Sequence, residues 1–204
     1  EVLVVDDGSS DGTADLVSEA ATSEPRVKVM SIAHGGKGMA VKHGMLNTAG
    51  RYRFMCDADL AMPTEYLGRF MDRMRDGFDL VIASREKDGA RRIGEPGIRH
   101  VRGRIFNRVV RMLAVRGFDD TQCGFKCFRG EVADELFRLQ RTNGLGFDVE
   151  VLYLAVRRGL RILEMPIDWY HQEGSKVRPL LDAVLMVRDA AMVRIWDLSG
   201  KYAR

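Results

Sequence analysis

Cysteine is scarce in this 204-residue chain: Cys56, Cys123 and Cys127 are the only three. Three cysteines make no disulfide framework, and the CxxxC spacing of the last two is not the CxxC of a metal or redox pair. A reduced, intracellular protein is the expectation. No apolar run approaches the ~20 residues of a membrane span, and no signal peptide is visible at the start. Repeats, low-complexity tracts and linkers are also missing, so residues 1–204 are read as one domain. Charge of one sign is nearly balanced, 32 Lys and Arg against 29 Asp and Glu, and a net +3 points to no strong partner. Aromatic residues are only 8% of the chain.

What is present is alternation. Short apolar runs at residues 2–5, 27–32, 52–56 and 80–83 read as strands. Helical patterns stand between them. Thr13 is placed to cap a helix that buries Leu16, Val17 and Ala20. The GGKG stretch, 35–38, opens a second helix, and Pro63 suits the first turn of a third. Alternation of this kind predicts a mostly parallel sheet with helices on both faces. Further on, residues 86–97 read as a charged loop and 99–115 as a basic amphipathic helix. A short strand is expected at 125–128, a helix at 147–156, an extended run at 160–169 and a last amphipathic helix over about 180–197. The first strand begins at residue 2, which leads us to expect a segment upstream of it.

Acidic residues sit where such sheets bind ligands, at the C-terminal ends of the strands. The first strand ends in Asp6 and Asp7, inside VLVVDDGSSDGT. The third ends in Asp57-Ala58-Asp59. Alternate residues of an extended segment face the same way, so Asp57 and Asp59 can share a site. Two hard oxygen donors suit Mg²⁺ or Mn²⁺, with substrate phosphates completing the shell. A bare DxD is more often a solvated loop; its place at a strand end raises its weight. Lys37 in GGKG and Lys176 in EGSK offer positive charge to a diphosphate. The GxxxxGK[ST] spacing of a P-loop is absent. Residues 85–116 hold ten Lys or Arg against three acids, a local excess that suits phosphates or anionic lipid. Phe106 is the one aromatic there, too few for base stacking, and no nucleic-acid partner is expected.

Asp6, Asp7 and Asp57 also loosely fit a phospho-receiver domain, but the chain is long for one and its later lysine cannot be placed. An inactive nucleotide-binding domain is a further alternative.

With VLVVDDGSSDGT, GGKGMA, DADLA, DTQCGFKCF and GFDVEVLYLA on the page, the chain resembles the family 2 glycosyltransferases of GT-A (Rossmann-like) fold. The match runs from Val2 to about Trp196. DADLA, DTQCGFK, FDVE and the later W…EGSK look most like the polyprenyl- and dolichyl-phosphate enzymes, and among them the β-glucosyltransferases. Mannosyl relatives often carry Gln where Ala61 stands. The resemblance therefore implies UDP-glucose as donor, with GDP-mannose as the alternative, a polyprenyl or dolichyl phosphate as acceptor, and Mg²⁺ or Mn²⁺ as cofactor.

It also implies roles. Asp6 and Asp7 would read the base or ribose, with Lys37 nearby. Asp57 and Asp59 would be the metal pair, Asp59 the more direct ligand. Arg85 and Arg99 would grip the acceptor phosphate. Asp120 and Gln122 would line the sugar side, Asp120 positioning or acting as base, with Asp148 and Glu150 near the reacting centre. His171, Ser175 and Lys176 would close over the diphosphate. The family's Pro-x-Tyr-Asn-Glu loop is not found, and Gly103 stands where relatives often have Ser. A peripheral site on the cytoplasmic side of a membrane is expected, through the basic helix or the last helix. A homo-oligomer is possible through the latter.

Overall fold

A computed structural model describes residues 1–94, 115, 117–172 and 179–203. The basic stretch around Arg99 and Gly103, and Ser175 and Lys176, lie outside the described residues.

The strands are β1 (Val2–Asp6), β2 (Val27–Ser31), β3 (Tyr52–Met55), β4 (Leu80–Ser84), β5 (Arg91–Ile93), β6 (Lys126–Arg129), β7 (Ile162–Pro166) and β8 (Asp168–Tyr170). The helices are α1 (Thr13–Ser23), α2 (Lys37–Leu46), α3 (Tyr66–Arg75), α4 (Gly130–Leu139), α5 (Phe147–Arg157) and α6 (Pro179–Leu198).

β4 organises the core. All five of its residues, LVIAS, are buried, as a central strand covered on both faces requires. Its side chains alternate. Leu80 and Ile82 enter a cluster with Phe128, Leu136, Phe137, Leu152 and Val193. Val81 and Ala83 enter a second cluster with Phe70, Met74, Phe125 and Cys127. Phe54, Phe70 and Phe125 pack at centroid distances of 4.3–5.4 Å. Cys123 and Cys127 are buried, their thiols pushed up to about 12 by burial. They serve as small apolar residues.

The sheets are parallel-rich, as the alternation predicts, with one departure. The four-stranded sheet runs β3-β6-β4-β7, and β6 is antiparallel to both of its neighbours. β1 pairs with β2, β4 with β7 and β5 with β8, all parallel. Strand direction is a long-range property, and nothing in the local pattern of residues 125–128 encodes it. The 86–97 loop contains β5, a strand with only one apolar residue, formed because β8 is there to pair with it. α4 was not anticipated; it directly follows β6 and buries Val132, Ala133, Leu136 and Phe137.

Two helix readings need correction. α1 buries none of its residues, and Leu16 is 69% exposed. It lies along the narrow β1–β2 pair, which is too small to cover an apolar stripe. Its N-cap is Gly12 at φ 80°, not Thr13, whose hydroxyl instead donates to Asp11. α6 is not amphipathic in the one-sided sense: Met186, Ala190 and Val193 face inward, while Leu181, Val184, Ile195 and Leu198 are exposed.

The chain's last turn is tied inward. Tyr202 is fully buried, and its hydroxyl donates to Glu150 Oε1 at 2.6 Å. The same carboxylate accepts the N–H groups of Arg141 (2.9 Å) and Thr142 (2.7 Å). Glu150 is thus a structural anchor for the 141–146 loop. Tyr202→Phe removes one hydrogen bond to a buried charge and is expected to cost about 1–3 kcal/mol. A drop in the urea midpoint with unchanged slope checks this.

Candidate functional site

The carboxylates at the strand ends do converge, though not in the same role. Asp7 is occupied by the chain itself. Its two oxygens accept the backbone N–H groups of Gly35 (2.8 Å) and Gly36 (2.9 Å), and His34 Nδ1 lies 2.9 Å from Oδ2. Asp7 therefore shapes the GGKG turn. Asp6 is buried and accepts the Ser9 N–H at 3.2 Å, closing the turn after β1.

The turn is also gripped from behind. Gly36 adopts φ 100°, a conformation that side chains disfavour. A Cβ on Gly38 would stand 2.6 Å from the Thr142 carbonyl oxygen. Gln140 Nε2 donates to the Gly38 carbonyl at 2.8 Å, and the Met39 N–H donates to Asn143 O at 3.1 Å. So the 141–146 loop, anchored by Glu150, fixes the start of α2.

That start delivers Lys37. Its ammonium is 2.6 Å from Asp57 Oδ1. Burial disfavours the charged form, but Asp57 and Asp148 outweigh it and raise the Lys37 ammonium above its usual range. Asp148, in the first turn of α5, is buried against Lys126 of β6 at 2.6 Å, and Lys126 also donates to the Cys123 carbonyl at 2.7 Å. Burial pushes the Asp148 carboxyl up; Lys126 and Lys37 oppose it without cancelling it. Asp57, Lys37, Asp148 and Lys126 form one row of alternating charge.

Asp57 is half-exposed and Asp59 exposed, its Oδ1 accepting the Ala61 N–H at 3.1 Å. Among the described residues no group of three or more His, Cys, Asp or Glu forms a metal cage. The donor set still fits Mg²⁺ or Mn²⁺. Two hard carboxylates on one open loop leave most of the shell to water and phosphate oxygens, as those ions prefer.

A second cluster lies at the end of β4, and the buried Cys123 feels the charges of both, Arg85 and Asp120 on one hand and Asp57 on the other. Asp120 is fully buried. Arg85 forks onto it, Nε at 2.6 Å and Nη2 at 3.0 Å, and the Arg85 and Gln122 N–H groups donate to it as well. Burial alone would raise the Asp120 carboxyl; the Arg85 charge and hydrogen bonds hold it well below the usual carboxylate range. A carboxylate so held is a poor proton acceptor, which favours the positioning role for Asp120 over the base. Gln122 reaches toward Met186 of α6, Nε2 to Sδ at 3.5 Å. His171 stands past β8 with its ring 5.9 Å from Trp169, and the preceding Tyr170 donates its N–H to the Ala61 carbonyl at 2.7 Å, next to the Asp57–Asp59 loop.

Several functional supports escaped the sequence reading. Glu164 is buried on β7 and accepts the Asp119 and Asp120 N–H groups at 2.7–3.0 Å. Its one signal is a carboxylate within the apolar run ILEMP. Trp169 lies between two guanidinium groups, Arg85 at 5.7 Å and Arg92 at 5.8 Å. Lys126 stands in plain sight inside DTQCGFK; no local pattern says that it pairs with Asp148. A cavity of about 590 Å³ opens beside Lys37, walled by the 141–145 loop and by Leu185, Met186, Arg188 and Trp196 of α6.

Paired carboxylates, a lysine and an arginine thus gather at the C-terminal strand ends of an α/β scaffold, the edge where such sheets bind ligands. Comparison with known proteins agrees. Residues 1–137 match the model described as glycosyl transferase family 2, and the chain belongs to that family. The dolichyl-phosphate beta-glucosyltransferase of Dictyostelium discoideum is 34% identical over 209 residues, covering 98% of this chain and 64% of that protein. That of Drosophila melanogaster is 35% identical, covering 99% and 65%. The chain thus spans just under two thirds of the length of these curated relatives. Among solved structures, mannosyl-3-phosphoglycerate synthase from Rubrobacter xylanophilus superposes with a TM-score of 0.67 at 19% identity, over 100% of this chain and 66% of that one. The fold is the GT-A fold that the motifs implied.

Two outcomes follow. Asp120→Asn leaves the Arg85 charge buried without a counter-charge and is expected to cost about 3–5 kcal/mol at neutral pH. Because folding lowers the Asp120 pKa, its contribution is complete above the unfolded value of about 3.9 and is lost as pH falls from there through the folded value. Chemical denaturation from pH 7 downward checks this: the variant shows a flatter acid limb than the parent. Separately, a Cβ on Gly124 would stand 2.1 Å from Asp57 Oδ2. Gly124→Ala therefore swings the Asp57 carboxylate away and is expected to weaken Mn²⁺ binding about 10–100-fold, read by Mn²⁺ paramagnetic resonance with UDP present.

Proposed function

We propose that this chain is the catalytic part of a metal-dependent, inverting glucosyltransferase that moves glucose from UDP-glucose to a dolichyl or polyprenyl phosphate. The observation that carries the reading is the pair of charged clusters at strand ends: the Lys37–Asp57 contact after β3 and Arg85, held by Asp120, after β4. One suits a nucleoside diphosphate and the other an acceptor phosphate. The names of the curated relatives support the same donor sugar and acceptor.

The chemistry follows from charge. As the anomeric carbon parts from the diphosphate it becomes oxocarbenium-like, and negative charge grows on the leaving group. Lys37 is already charged and placed to meet it. Asp57 and Asp59 would hold Mg²⁺ or Mn²⁺, which supplies further stabilisation of that charge when bound. Asp7, by fixing the GGKG turn, sets where the nucleotide meets Lys37. On the other side, Arg85 spends Nε and one Nη2 hydrogen on Asp120 and keeps its Nη1–Nη2 edge to donate to an acceptor phosphate. Asp120 and Glu164 hold that arginine in place. The acceptor oxygen is anionic at neutral pH, so the reaction needs no strong base, which accords with the low proton affinity of Asp120. Arg99, Ser175 and Lys176 remain candidates for closing over the phosphates, and His171 for a role near Trp169. A peripheral place on the cytoplasmic side of a membrane suits an acceptor that resides in one. No helix among the described residues is long and apolar enough to cross a bilayer.

The test offers UDP-glucose or GDP-mannose, a short polyprenyl phosphate and Mg²⁺ or Mn²⁺, and looks for glycosyl lipid. Chelator-sensitive product from UDP-glucose is the expected result. Asp59→Asn is expected to lower turnover about 100-fold or more. Product only from GDP-mannose overturns the donor. No lipid product with either donor, despite nucleotide binding, overturns the function.

A further inference from the structure

The main-chain N–H groups on both sides of Trp169 are each spent on a different element. Ile167 donates to the Ser84 carbonyl of β4 at 3.1 Å, and His171 to the Ile93 carbonyl of β5 at 2.9 Å. Between them, Asp168 donates to the Tyr66 hydroxyl of α3 at 2.9 Å and Tyr170 to the Ala61 carbonyl at 2.7 Å. A strand of only three residues is thereby fixed to β4, β5, α3 and the loop that carries Asp57 and Asp59. The side chain at its middle is fixed with it. Trp169 is half-buried against the second core cluster. Arg85 Cζ lies over its ring at 5.7 Å and Arg92 Cζ at 5.8 Å, both within reach of a cation–π attraction.

The two arginines differ in what they have left to give. Arg92 is the register partner of Trp169 across the β5–β8 pair, and its Nη2 goes to Glu86 Oε1 at 2.6 Å. Arg85 is bound to Asp120 through Nε and Nη2, that is, along one edge. A planar guanidinium held along one edge can still tilt about it. The ring of Trp169 opposes that tilt. A second carboxylate in its place would hold Arg85 more strongly, but it would also take up the remaining N–H groups and cancel the charge. An indole attracts the cation through its face and offers no acceptor atom. The Nη1–Nη2 edge is thus steadied without being used. Trp169 also sets where that edge stands, because the next N–H along the chain holds Ala61, whose own N–H is bound by Asp59 at 3.1 Å.

We propose that Trp169 is a positioning residue for the acceptor phosphate: its ring steadies the Arg85 guanidinium that Asp120 holds by one edge, and so aims the other edge. The inference rests on the reading of Arg85 as the grip on that phosphate, and binding of geranyl phosphate without donor tests it separately from turnover. In the whole chain, Trp169 alone is replaced by mono-, di- and trifluorinated tryptophan, which keep the ring's shape while draining its negative face. The dissociation constant for geranyl phosphate, read by calorimetry, should rise stepwise along the series to about fivefold. KM for geranyl phosphate should rise in step, while KM for UDP-glucose stays within about twofold. Trp169→Leu should weaken geranyl phosphate binding about tenfold, and Trp169→Phe should recover most of it. Where the leucine variant fails to fold, the fluorinated chains carry the test. Because Arg92 also lies over the ring, the series is repeated in Arg92→Gln, where the same slope is expected. A flat series overturns the proposal, since a ring that only fills space is indifferent to its charge distribution. So does a slope that disappears in Arg92→Gln, an equal loss of affinity for UDP-glucose, or a parent chain that does not bind geranyl phosphate. Binding that follows the fluorines without glycosyl transfer leaves the positioning role standing and removes the transferase reading. Transfer with a flat series does the reverse.

Discussion

The buried contact between Lys126 and Asp148 is the joint on which the site turns. Lys126 sits on β6, between β3 and β4 in the central sheet. Asp148 opens α5, where the helix dipole favours a negative charge. A buried ion pair seldom adds net stability, but it fixes geometry, because misplacing either partner strands a charge in the core. Here it locks α5 to the sheet, holds the Cys123 carbonyl, and sets the field that Lys37 and Asp57 feel.

From that joint the arrangement spreads in two directions. Toward the GGKG turn, Glu150 lies two residues past Asp148 and gathers Tyr202, Arg141 and Thr142 onto one carboxylate. The loop it holds presses so closely on Gly36 and Gly38 that neither position has room for a side chain. Asp7 closes the same turn from the opposite side. Lys37 is therefore rigid before any ligand arrives, and interactions preformed in this way favour a charged transition state because they need no reorganisation. Toward the second cluster, residues 120–126 carry the constraint to Asp120, which fixes Arg85, while Glu164 fixes the backbone of Asp120. Lys37 is backed in this way by the buried Asp148, and Arg85 by the buried Asp120.

Much of this was legible in order along the chain. Strands ending in Asp6-Asp7 and Asp57-Ala58-Asp59 were readable from apolar runs followed by carboxylates, and the motifs carried the family and the GT-A fold. The reading faltered where a residue's role depends on a distant partner. That Asp7 holds the backbone N–H groups of Gly35 and Gly36, 28 and 29 residues on, could not be read locally. Asp120 was expected to position or act as base, and only the structure shows Arg85 on both its oxygens. Leu16 fits a buried helical stripe, yet α1 has only a two-stranded sheet beneath it.

The sequence by itself determined most of the strands and helices, the family and the inventory of charged groups. Periodicity and motif spacing are local properties, written within a few residues. Only the tertiary structure decided which charges are spent on one another and which remain for a ligand. It joined Lys37 to Asp57 and Asp148 to Lys126, turned β6 antiparallel, and left one face of α6 uncovered. Those outcomes depend on which elements end up side by side. Packing sets that, because a buried charge must find its partner wherever in the chain the partner lies.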